Sequence, residues 1–143
     1  MTKELNIHGT SVAIQDSGII ILGPSGSGKS DLALRLIDSG ATLVSDDRTI
    51  CLKKNNEIFM FSHPDISGLI EVRGMGLIRV PYVENIKLKM VINLTNKNKE
   101  RLPEKKKFKK ILGISLPLFE LSAFEISANA KIKLKLFEIN QDD

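Results

Sequence analysis

The chain has 143 residues, 42% of them hydrophobic, with one cysteine, two histidines, no tryptophan and a formal net charge of +4. That length suits a single domain, 1–143, with a real core and little room for a second module, and one cysteine with two histidines makes neither an internal disulfide nor a zinc site. No apolar run approaches the roughly 18 residues of a membrane span, and the opening MTKELNIHG lacks a signal peptide's apolar stretch, so a cytoplasmic address is expected.

In chain order, residues 5–14 read as a strand, with His8 as an ordinary strand histidine. Ile19 to Leu22 are four consecutive aliphatic residues, the pattern of a strand buried on both faces of a parallel sheet. GPSGSGKS follows at 23–30. Gly23, Gly26 and Gly28 permit backbone angles that a Cβ forbids, so the amides of Gly23, Pro24, Ser25, Gly26, Ser27 and Gly28 form a loop that can wrap a phosphate chain (Pro24 lends only its shape). Lys29 then reaches the β- and γ-phosphates of ATP, and the Ser30 hydroxyl is a ligand for Mg²⁺. Leu32, Ala33, Leu36 and Ile37 have helical spacing over 30–39, and Gly40 is a natural stop. A complete G-x4-G-K-S in this strand–loop–helix setting predicts binding of a nucleoside triphosphate.

Residues 42–45 form the next apolar strand, which runs into Asp46 and Asp47. Two carboxylates opposite a phosphate loop suit a Mg·ATP site, one orienting the metal or its waters and the other accepting a proton from an attacking hydroxyl. In a continuing strand the two point to opposite sides, so they need not share a role. Strands are expected at 50–53 and 58–61, joined by an Asn55-Asn56 turn, with Cys51 as a packing residue. In GLIEVRGMGLIRV, Glu71 and Arg73 lie two apart and so share a face of an extended segment; a metal-site role and a salt-bridged turn are equally compatible with that spacing. Residues 86–95 read as a strand and 104–112 as a short helix ending at Gly113. The run 97–110 carries eight basic and two acidic residues, so the rest of the chain is slightly acidic. A solvated face is the first reading of that run, docking of an acidic partner the second and nucleic acid the last, because no aromatic platform accompanies the charge. At the C-terminus KIKLKLF alternates like a strand, but Ser122-x-x-Glu125 is a capping box, and Ile126, Ala130, Leu134 and Phe137 share a helical face. A helix is predicted. The fold class is α/β, a P-loop-containing mixed β-sheet with flanking helices.

LVSDD and EVRGMGLIRV, in this order after the phosphate loop, resemble the catalytic domain of HPr kinase/phosphorylase, in the short form that lacks the N-terminal domain. The resemblance runs from IHG to the C-terminus and implies a serine kinase of an HPr-type phosphocarrier protein. By resemblance His8, twenty-one residues before Lys29, is a catalytic histidine, Ser30 and Glu71 are Mg²⁺ ligands, and Asp47 takes the acceptor proton. Arg101 in KERL matches a catalytic arginine, with LP here where the family has LG. Asp31 stands where the family has Glu. A loop linked to dephosphorylation in long members has no counterpart in LPLFELSAFEISANA, which points to kinase without phosphorylase activity. The family's assembly implies a homo-oligomer, a hexamer. The rival readings are a P-loop small-metabolite kinase, for which only Arg73 and Arg101 are available as lid arginines, and a non-catalytic nucleotide-responsive regulatory module, against which Asp47 and Glu71 argue. A transporter-type ATPase needs a longer chain and an LSGGQ-like signature.

Overall fold

The computed structural model describes residues 3–96 and 105–141. Eleven strands among them are β1 (Lys3–Ile7), β2 (Thr10–Ile14), β3 (Ser17–Leu22), β4 (Thr42–Ser45), β5 (Thr49–Lys54), β6 (Glu57–Ser62), β7 (Leu69–Val72), β8 (Gly76–Arg79), β9 (Ile86–Leu94), β10 (Lys107–Ile111) and β11 (Ile114–Leu121). Helices α1 (Lys29–Asp38) and α2 (Ala128–Gln141) complete the fold, with a short 3-10 turn at Pro64–Ile66. The main sheet runs β1-β5-β6-β9-β3-β2-β4, and β7 and β8 form a separate hairpin. One edge of the long strand β9 is shared: its start pairs antiparallel with β6 and its end parallel with β11, which carries β10 on its far side. The other edge of β9 runs parallel to β3. Strand β4 is antiparallel to β2, and β2 to β3, so β3, β4, β9 and β11 all point the same way. Their C-terminal ends lie along one edge, the edge at which open α/β sheets bind ligands.

Alternation along β3 explains the layering. Ile19 and Ile21 pack with Leu32 and Leu36 of α1 and Ile132 and Leu136 of α2. Ile20 faces the opposite side, in a second cluster with Cys51, Met60, Leu88 and Val91. The aliphatic run therefore signals a strand covered on both faces, as the sequence predicts. Burial pushes the Cys51 thiol up to about 12, which fits a packing residue. The Asn55-Asn56 turn is also where expected: both residues have positive φ, 54° and 62°, the geometry of a two-residue hairpin turn.

Three expectations need correction. The single strand over 5–14 is two, because the chain bends at His8 and Gly9 and its halves pair with different partners, β1 with β5 and β2 with β3. A Cβ on Gly9 would sit 2.8 Å from Leu22 Cδ2 and 3.0 Å from the Ile21 carbonyl oxygen, so the bend needs glycine to pass so close to β3. Residues 107–111 are a strand rather than part of a helix. Leu112 and Gly113, which read as a helix end, make the two-residue turn of the β10–β11 hairpin, and Ile111 and Leu116 gain a place in the second core cluster. The C-terminal helix is present, but its buried face is Ala128, Ile132 and Leu136. Ile126, Leu134 and Phe137 of the expected face are 105%, 69% and 62% exposed. The capping box does close, Glu125 accepting from the Ser122 amide at 2.9 Å, yet it caps a turn and α2 starts three residues later.

Burial of the face through Ile132 is measurable. Ile132→Ala is expected to cost about 2–5 kcal/mol by denaturant unfolding, as large-to-small changes in a filled core do, while Leu134→Ala stays within about 0.5 kcal/mol. A larger loss at Leu134 would restore the face read from the sequence.

Candidate active site

The phosphate loop starts where β3 ends at Leu22 and closes into α1 at Lys29. Ser27 donates its amide to the Pro24 carbonyl at 3.1 Å, and Gly26 and Gly28 take φ of 79° and 97°. Gly28 is doubly constrained, since a Cβ there would stand 2.9 Å from the Ala123 Cβ. Lys29 Nζ donates to the carbonyls of Gly23 at 2.8 Å and Pro24 at 3.1 Å and so ties the start of the loop to the helix. The first intrahelical bond runs from Leu32 N to Gly28 O, so the amides before it point into the loop mouth at the helix's positive end, where an anion is stabilised.

Asp46 lies opposite. It is 5% exposed, and three donors from three separate parts of the chain converge on its carboxylate. Ser30 Oγ donates to Oδ1 at 2.7 Å, Thr10 Oγ1 donates to the same oxygen at 3.0 Å, and the Glu71 amide donates to Oδ2 at 2.9 Å. The Ser30 hydroxyl spends its proton on Asp46, which leaves its oxygen lone pairs free to face a cation. That is the donor a Mg²⁺ held mainly by substrate phosphates needs. Among the described residues no three His, Cys, Asp or Glu side chains cluster as a metal cage.

Asp47 goes the other way. The strand stops at Ser45 and Asp47 is left-handed, φ 66°, so the two acids part at a kink rather than by strand alternation. Its amide donates to Thr10 Oγ1 at 3.1 Å, and Oδ1 lies 3.0 Å from His8 Nε2. Both side chains are solvent-facing, His8 73% and Asp47 59% exposed. The bend at His8 is held from beneath, because Thr49 Oγ1 donates to the Gly9 carbonyl at 3.0 Å and meets Ser11 Oγ at 2.8 Å. A single path of hydrogen bonds thus runs from Ser30 through Asp46 and Thr10 to Asp47 and His8. It joins a phosphate loop to an accessible carboxylate–imidazole pair, an arrangement able to place a phosphoryl group beside a proton acceptor.

Of the residues singled out from sequence, Lys29, Ser30, Asp47 and His8 meet on this edge. Glu71 joins through its backbone; its side chain is exposed at the end of β7, next to the turn that carries Arg73, and no ion pair joins the two among the described residues. Arg101 lies outside the described residues. Sequence reasoning missed Thr10 altogether and gave Asp46 no definite role, although the adjacent acids at the end of β4 were the signal. Which acid turns inward depends on the kink at Asp47, and that does not show in residue types.

The fold and the loop together define the class, a P-loop α/β domain with its site at the ends of parallel strands. Within that class the family model of the HPr Serine kinase C-terminal domain matches residues 1–133, and the chain belongs to that family. It is 32% identical over 126 residues to an HPr kinase/phosphorylase of Prosthecochloris aestuarii, covering 80% of this chain and 37% of the relative. With the enzyme of the same name from Lactobacillus acidophilus it shares 29% identity over 152 aligned positions, covering 98% of this chain and 47% of that one. The chain spans less than half the length of these curated relatives. The solved structure of the Hpr(Ser) kinase/phosphatase from Coxiella burnetii superposes with a TM-score of 0.83 at 23% identity, over 97% of this chain and 99% of that one, and shows the same fold. Among the described residues no helix is long and apolar enough to cross a membrane.

The inward acid should carry stability and the outward one should not. Asp46→Asn puts an amide where two oxygens accept three hydrogen bonds and is expected to cost about 1–3 kcal/mol in urea unfolding. Asp47→Asn, exposed and at a φ that asparagine tolerates, should change stability by less than about 0.5 kcal/mol. Equal losses would contradict the division of labour.

Proposed function

We propose that this chain is a protein-serine kinase that transfers the γ-phosphoryl group of Mg·ATP to a serine of an HPr-type phosphocarrier protein. The observation that carries the reading is the hydrogen-bonded path from Ser30 through Asp46 and Thr10 to the Asp47–His8 pair. Membership of the kinase domain family supports the substrate class. ATP supplies the phosphoryl group, and Mg²⁺ offsets the charge on its oxygens. In the proposed arrangement the amides of residues 23–28 wrap the phosphates, and Lys29 swings from the loop carbonyls to the β/γ end. Ser30 holds the metal, with Glu71 as a second oxygen donor. Asp47 takes the proton of the attacking serine, and His8 fixes the carboxylate's orientation across their 3.0 Å contact.

The exposed position of Asp47 favours a protein acceptor over an enclosed metabolite, because the serine of a folded carrier can approach an open carboxylate without a lid closing over it. Arg101 is the proposed charge-countering arginine of the transfer. The reading includes a cytoplasmic address, where ATP is available, and assembly of several copies, supported by the bare apolar side chains of Leu134 and Phe137 on α2. Six residues, Ser122 to Ser127, link β11 to α2. They pack on the phosphate-loop side, with Arg35 Nη2 donating to the Ala123 carbonyl, and offer no long loop for the reverse reaction. Transfer to the carrier is therefore the proposed direction.

Labelled ATP, Mg²⁺ and purified HPr provide the test, read as phosphoserine by mass spectrometry. Wild type should phosphorylate the carrier, Lys29→Ala should not, and Asp47→Asn should do so about 10²–10⁴-fold more slowly with ATP binding kept. The loss falls toward the lower end if charge and positioning dominate the transfer. Turnover unchanged in Lys29→Ala would remove the proposal. A Glu71→Gln variant should need more Mg²⁺ for half-maximal rate; an unchanged Mg²⁺ dependence would take Glu71 out of the site.

A further inference from the structure

Ser45 is the last residue of β4 and stands immediately before the two acids. It is fully buried, so any part it plays runs through its neighbours. Along β4 the pairing with β2 slips by one residue. Val12 pairs with Leu43 and Ser11 with Ser45, which sets two residues of β4, Val44 and Ser45, against a single step of β2. That is a β-bulge, a device that re-aims side chains beside active sites. Leu43 and Val12 pack in the cluster that holds Leu32 and Leu36 of α1, whereas Val44 packs in the cluster on the other face. Ser45 shares that second face, because directly opposed residues point the same way and its partner Ser11 turns its hydroxyl to Thr49. Asp46 therefore returns to the α1 side, where Ser30, Thr10 and the Glu71 amide meet it. In an unbroken strand a residue three past Leu43 would face the opposite way. The bulge is what turns Asp46 inward.

Ser45 also locks the turn that follows. Its Oγ donates to the Arg48 carbonyl at 2.5 Å and accepts from the His63 amide at 3.0 Å. Asp46 and Asp47 lie inside the ring that Ser45 and Arg48 close, and the Arg48 amide donates to the Asp46 carbonyl at 2.7 Å. One hydroxyl thus uses both its donor and its acceptor capacity on backbone. It fastens the turn that carries the acids to the start of the 3-10 turn at Pro64–Ile66. Asp47, at φ 66°, holds a sparsely populated conformation that persists only where its surroundings fix it. Thr10 holds its amide from one side, and the Ser45–Arg48 bond closes the turn from the other.

We propose that Ser45 is a positioning residue for phosphoryl transfer: by clamping the β4 bulge and the turn after it, its hydroxyl keeps Asp47 within hydrogen-bond reach of His8 and at a set distance from the phosphate loop. The proposal rests on the reading of Asp47 as the proton acceptor and adds the residue that sets its place.

Ser45→Ala removes the clamp and leaves every residue of the proposed machinery present. With ATP, Mg²⁺ and HPr its kcat should fall about 10–100-fold, between the worth of one hydrogen bond and that of a misplacement of about 1 Å at a reacting group. KM for ATP should stay within about twofold, because the phosphate-loop contacts are untouched. Ser62→Ala is the control. Ser62 is 5% exposed and its hydroxyl bonds Glu84 and Ser67, so its loss should lower stability to a similar degree with kcat within about twofold of wild type. In an Asp47→Asn background, Ser45→Ala should slow transfer by less than a further twofold or so, since a residue acting through Asp47 has nothing left to position. A full second loss in that background, or a kcat in Ser45→Ala no lower than in Ser62→Ala, would overturn the proposal. Wild-type turnover in Asp47→Asn would instead sink the proton-acceptor reading, and the clamp's role with it. A crystal structure of Ser45→Ala reads the same clamp without activity, and Ser45→Cys, a weaker donor at that position, serves if the alanine variant does not fold. Asp47 Oδ1 should then lie beyond hydrogen-bond reach of His8 Nε2. A pair kept at 3.0 Å with the turn unchanged would refute the proposal.

Discussion

The Asp46 carboxylate is the tie on which the rest of the site depends. A buried carboxylate is costly unless hydrogen bonds replace the water it has lost. Its three donors come from α1, β2 and β7, elements with no other shared purpose. Meeting that one electrostatic demand fixes the start of α1 against the end of β4 and the β7–β8 hairpin against both. Thr10 then passes the constraint outward, since the hydroxyl that donates to Asp46 accepts from the Asp47 amide. The phosphate loop and the accessible acid are thereby held at a fixed separation by a path of short polar contacts rather than by a lid.

The sheet sets the other constraint. Because β3, β4, β9 and β11 run the same way, every loop at that edge leaves a strand end, and β3 with its phosphate loop stands among them. The β4 side supplies acids and an imidazole; the β9 and β11 side supplies amides and one carboxylate already engaged by Lys107.

Much of this was readable from residues with local causes. The phosphate loop, the strand before it and the helix after it are specified within twenty residues, and the Asn55-Asn56 turn within four. Failures came where a distant partner decides the outcome. Residues 107–111 have a pattern that helix or strand can use, and the choice falls to strand because β11, itself paired with β9, offers an open edge. In α2 the apolar residues leave two candidate faces, and only packing under the sheet selects Ile132 and Leu136. Asp46 and Asp47 were visible as a pair, but their separation depends on one left-handed residue and on a threonine 36 positions before the inward acid. His8 owed its place among the candidates to family resemblance, and Glu71 had only its spacing to Arg73, which a salt-bridged turn fits equally well.

The central claim is that one polar path aligns a nucleotide's transferable end with Asp47. A crystal structure with Mg²⁺ and a non-hydrolysable ATP analogue measures it most directly. The account predicts the metal on Ser30 Oγ, the Ser30–Asp46 hydrogen bond retained, and the terminal phosphate facing the Asp47–His8 pair. A nucleotide bound with its terminal phosphate turned toward Asn93 and Glu120, away from Asp47, would contradict it.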